Sequence, residues 1–140
     1  ANTSLWQNQV IGGPDAAVPA WVTFDTSENA FILGRGSPCI QLPVKTNPDA
    51  MPEVSFGGWF KLMKQQNVGW ILAQYPDYGW SRALTLSDHR LGGASITING
   101  HWKSGFGNAE EGQWIHLVGV WRGHSQPCDV YKDGIKSTHP

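Results

Sequence analysis

Charge, cysteine, long apolar runs and helix-forming blocks are all scarce in this 140-residue chain, and each scarcity excludes a class of protein. Charged residues make up 15% of it, the formal net charge is −1, and the 10 Lys and Arg are scattered. Such a distribution offers no electrostatic footprint for nucleic acid or an anionic membrane. Apolar runs last a few residues, far short of the ~20 needed to cross a bilayer, so no membrane insertion is expected. No charged-then-apolar signal segment opens the chain, so a secreted protein is expected here in its mature form. The two cysteines, Cys39 and Cys128, lack the close pairing of a zinc site or a redox motif. Far apart in separate predicted strands, they are expected to form a disulfide, which would stabilise by about 4 to 5 kcal/mol in the chain-entropy model. Two buried thiols in a reducing compartment are the alternative.

What the chain has instead is 17 Gly, 9 Pro and 8 Trp, a composition that favours strands and turns over amphipathic helices. Its length fits one domain with a single core. Residues 1–19 are polar and punctuated by Gly and Pro, which predicts an irregular lead-in. Strands are predicted at Trp21–Asp25, Ala30–Leu33, Cys39–Val44, Val54–Leu62, Val68–Gln74, Arg82–Ser87, Ala94–Ile98, His101–Lys103, Trp114–Trp121 and Cys128–Lys132. Between them stand turn signals such as Gly92-Gly93, Asn99-Gly100, Glu111-Gly112 and Asp133-Gly134. Asn99-Gly100 is a strong two-residue hairpin signal. Many short antiparallel strands without a helical period predict an all-β, two-sheet antiparallel β-sandwich of jelly-roll type.

The most informative stretch is Gly112-Gln113-Trp114-Ile115-His116-Leu117-Val118-Gly119-Val120-Trp121, followed by Val130-Tyr131-Lys132-Asp133-Gly134. Alternation sends Trp114, His116, Val118 and Val120 to one face and Ile115, Leu117 and Trp121 to the other. With Val54–Leu62 and Gly69-Trp70-Ile71-Leu72 upstream, this pattern resembles laminin G-like domains of the concanavalin A-like lectin/glucanase superfamily, over residues 20–134. The resemblance implies a concanavalin A-like sandwich. It also implies about three further strands after the Tyr-x-Asp-Gly hairpin, where this sequence has Ile135 to Pro140. The expectation is a sandwich lacking its last strands, with self-assembly or a strand contributed by another chain as one way to cover the open edge.

Chemistry is thinly represented. Superfamily members that cleave glucans align carboxylates along one strand, whereas the adjacent pair here, Glu110-Glu111, lies in a turn and reads as solvated. No histidine stands at metal-ligand spacing from another, and no nucleophile or phosphate-loop motif occurs, so no catalytic residue is assigned and the chain is not expected to be an enzyme. His116 reads as a packed, hydrogen-bonded structural residue. No cofactor is expected; calcium enters only through the resemblance, since many relatives hold it at the sandwich rim.

Among the aromatics, Trp59, Trp70, Trp114 and Trp121 sit in strongly patterned strands and are expected in the core, with Trp21 intermediate. Two turn segments interleave aromatic and polar groups and supply the candidate ligand-binding residues: Tyr75, Asp77, Tyr78 and Trp80, and Asn99, His101 and Trp102. Indole faces stack on sugar rings while neighbouring polar groups bond the hydroxyls. Asn2-Thr3-Ser4 matches the glycosylation acceptor pattern at Asn2. The expectation is therefore a non-catalytic extracellular recognition module, secreted or at the cell surface, binding a glycan or an extracellular protein. The alternative is a structural subunit of an extracellular filament or surface assembly, completed by another chain.

Overall fold

The computed structural model describes residues 4–33, 40–44, 46, 50–64, 68–73, 82–88, 94–98, 101–107, 109–123 and 128–138, with backbone alone for 4, 68–70, 72, 87–88, 94–98 and 101–105. Among these residues every regular element is a strand. The chain falls into two compact units, 1–44 and 45–140, where the sequence predicts one domain.

The first unit holds two antiparallel ribbons. One, β1 (Ser4–Trp6) with β2 (Ala16–Val18), occupies the stretch expected to be irregular. Its loop is tied internally, because the Asn8 N–H donates to Asp15 Oδ1 at 2.7 Å and the Val10 N–H to Asn8 Oδ1 at 2.9 Å. The other joins β3 (Thr23–Asp25) to β4 (Ala30–Ile32) and pairs Phe24 across from Phe31, whose ring also lies 5.5 Å from Trp6. Residues 40–44 carry no strand, contrary to the expectation for Cys39–Val44. Pro43 lacks the N–H that a ladder needs.

The second unit contains two four-stranded antiparallel sheets. One is ordered β12 (Ile135–Lys136), β11 (Asp129–Lys132), β10 (Trp114–Arg122), β5 (Glu53–Lys61); the other is a meander of β6 (Val68–Ala73), β7 (Arg82–Asp88), β8 (Ala94–Ile98) and β9 (His101–Phe106). Leu84 of β7 packs in one buried cluster with Leu117 and Trp121 of β10, Val130 of β11 and Cys128, flanked by Val54, Phe56 and Phe60 of β5. A neighbouring cluster joins Leu86 to Ile115, Leu62 and Ala109. The two sheets therefore face each other across a shared apolar layer, as in a β-sandwich. Cys128, 4% exposed within that layer, forms no disulfide, contrary to the expectation of a bridge to Cys39, which lies outside the described residues.

Two hairpins fall where the sequence suggests. Ile98 pairs with His101, so β8 and β9 are joined across two residues. Asp133 and Gly134 have φ of 50° and 82° between the paired Lys132 and Ile135, the left-handed geometry of a tight hairpin turn. At the sandwich end, Arg82 is 2% exposed and clamps the approach to β5. Its Nη1 donates to the Thr46 carbonyl and its Nη2 to the Pro52 carbonyl, both at 2.7 Å. Burial lowers its pKa, yet a guanidinium remains cationic at neutral pH.

Candidate functional site

The register of β5 against β10 decides which aromatic rings are inside. Trp114 pairs with Lys61, His116 with Trp59, Val118 with Gly57, Val120 with Ser55 and Arg122 with Glu53. On β10, burial alternates strictly: Ile115, Leu117, Gly119 and Trp121 face the core, and the intervening residues face outward. Their partners on β5 face outward with them. Trp121 is 1% exposed, as expected for core, but Trp59 is 65% and Trp114 37% exposed. The expectation that Trp59 and Trp114 fill the core is thus corrected. Trp114 and Trp121 stand seven positions apart on one strand, so opposite parity places them on opposite faces.

At one end of this outer face the rings make two contacts. The Trp59 and His116 centroids are 5.2 Å apart with their planes tilted by 40°, and Lys61 Nζ lies 5.7 Å from the Trp114 ring. His116 is held from its other side, since its N–H donates to Asp133 Oδ1 and its carbonyl accepts from the Asp133 N–H, both at 2.8 Å. Such bonds fix the backbone beneath the Trp59–His116 pair. Between the rings and the far end lies Gly57, where an added Cβ would sit 2.7 Å from the Leu117 carbonyl oxygen and from Val118 Cγ2. Glycine is what lets Val118 close over the strand at that point.

The far end is polar. Asp129, 8% exposed, takes Lys136 Nζ at 3.0 Å and pairs with Arg122. Burial opposes its charge, but hydrogen bonds from Lys136 and Arg122 outweigh that and hold the carboxyl below its usual range. The same hydrogen bond raises the Arg122 pKa, with Tyr131 contributing. Beside them opens a cleft of about 350 Å³ lined by Glu53, Val54, Ser55, Val120, Trp121 and Arg122.

Of the residues singled out from sequence, Tyr75, Asp77, Tyr78, Trp80, Asn99 and Asn2 lie outside the described residues. His101 and Trp102 are the first two residues of β9, paired with Ile98 and Thr97, and only their backbones are described. His101 and Trp102 thus stand in the sheet opposite the one that holds β5 and β10. The outer face of β5 and β10 was legible in part, through the shared parity of Trp114 and His116. Glu110 and Glu111 are exposed, and among the described residues no three His, Cys, Asp or Glu side chains converge as metal ligands would. Compared with protein-family models, curated proteins and solved structures, the chain matches none.

Proposed function

We propose that this protein is a non-catalytic recognition module that binds carbohydrate on the outer face of β5, β10 and β11. One observation carries the reading: Trp59, 65% exposed, stands on a continuous nine-residue strand pairing beside the His116 ring. Keeping a large indole in water is unfavourable unless something covers it. A sugar ring matches this surface. Its C–H face stacks on the indole with its hydroxyls beside His116, and further units of an extended glycan chain would run along the same face toward Ser55, Glu53 and Arg122. The opposed charges of Arg122, Lys136, Glu53 and Asp129 leave that end close to neutral, which suits an uncharged ligand.

The finer fold belongs to the same proposal. A meander of four strands between β5 and β10 supports a jelly-roll sandwich of the concanavalin A-like type, with the laminin G-like motifs as its sequence signature. An extracellular location follows from that reading, with glycosylation at Asn2 as its expected companion. A polysaccharide pull-down panel tests the function. Retention on at least one glycan, abolished by Trp59→Ala and kept by Trp80→Ala and Trp102→Ala, supports it. Retention that depends on Trp80 or Trp102 but not Trp59 moves the site to the turn segments, and no retention on any glycan removes the carbohydrate reading.

A further inference from the structure

We infer that two copies of this chain pair edge to edge through β5, joining their four-stranded sheets into one antiparallel sheet across a two-fold axis at Gly57. In the order β12-β11-β10-β5, β5 is the outermost strand, and among the described residues it pairs with β10 alone. Natural edges are usually guarded by shortness, bulges, proline or central charge. β5 has none of these guards. It runs nine residues, Glu-Val-Ser-Phe-Gly-Gly-Trp-Phe-Lys, keeps an unbroken register with β10, and carries charge only at its two ends.

Those ends specify a partner. Antiparallel self-pairing centred on Gly57 sets Glu53 of each copy opposite Lys61 of the other, so both ends gain an opposite-charge pair at once. Side-chain size agrees with the same register. On the outer face Trp59 meets Ser55, on the inner face Phe56 meets Gly58 and Phe60 meets Val54, and the two Gly57 residues meet at the axis. Sliding the strands by one pleat in either direction breaks the charge pairs and removes the alternation of large against small. In this register a second copy matches the backbone groups, the charges and the volumes of this edge together. The joined sheet would present two Trp59 rings on one continuous face, which lends the glycan site a second, linked point of attachment.

Sedimentation of the full chain over a wide concentration range tests the pairing, with Glu53→Lys, Lys61→Glu and the double exchange as variants. The expected result is a reversible dimer that each single exchange weakens by about tenfold or more, through like charges at both ends, and that the double exchange restores. Thermal melts establish that each variant is folded. Independently of any variant, amide exchange of the unmodified chain is expected to slow in β5 as concentration rises. A monomer at every concentration overturns the inference. So does an association that Glu53→Lys leaves unchanged, or one that the double exchange fails to restore.

Discussion

Replacing Trp121 and Trp59 in turn by alanine separates the two faces of the β5–β10 pairing by their energetics. Trp121 is 1% exposed and packs with Leu84, Leu117, Cys128 and Val130, so truncation leaves a cavity between the sheets. Large-to-small changes of this kind cost about 3 to 5 kcal/mol. Against a total stability of about 5 to 15 kcal/mol for a typical domain, that is a third or more of what holds the fold. Trp59 keeps 65% of its surface in water and loses chiefly its edge of contact with His116, so Trp59→Ala is expected to cost about 1 kcal/mol. Urea denaturation followed by far-ultraviolet circular dichroism measures both without relying on the removed fluorophore. The expected outcome is a large fall in midpoint for Trp121→Ala and a small one for Trp59→Ala, with similar slopes. Equal losses, or a larger loss at Trp59, would refute the assignment of inner and outer faces.

Three further outcomes follow from the same geometry. Arg82→Met removes both hydrogen bonds, to the half-buried Thr46 carbonyl and the exposed Pro52 carbonyl, and is expected to lower stability by about 1 to 2 kcal/mol in the same denaturation assay. Gly57→Ala forces a Cβ to 2.7 Å from the Leu117 carbonyl oxygen and Val118 Cγ2, with an expected loss of about 1 to 3 kcal/mol, read as a lower melting temperature. The Asp129 carboxyl is held below its usual value, so its contribution to stability is complete above the ordinary aspartate range and is lost as pH falls through the lowered folded value. Asp129→Asn is therefore expected to be less stable at neutral pH and to lose less stability on acidification, measured as denaturation midpoints from pH 7 down to acid unfolding.

Most of the second unit could be read from residue alternation and turn pairs. Strands β5 to β11 fall within a few residues of their predicted spans, because Asp133-Gly134 fixes one hairpin locally and the apolar alternation does much of the rest. Alternation says which residues share a face, but it does not say which face is buried. For Trp114 and His116 against Leu117 and Trp121, both faces of β10 carry apolar rings, and only the position of the β7 strand across the core settles the choice. The same limit hid Trp59, whose exposure depends on its register with His116 rather than on its own strand. The first unit was legible at β3 and β4, where Phe24 and Phe31 pair, but not at β1 and β2. There a ribbon forms because Asn8 and Asp15 tie the intervening loop through side-chain bonds that propensity does not register.

The most direct test of the proposed outer-face site is a nuclear magnetic resonance titration of the folded protein with fragments of whichever polysaccharide retains it. The expected result is a saturable shift of the Trp59 indole N–H and the His116 amide, with the Trp121 indole unmoved. A ligand that binds without touching the Trp59 signal would contradict it.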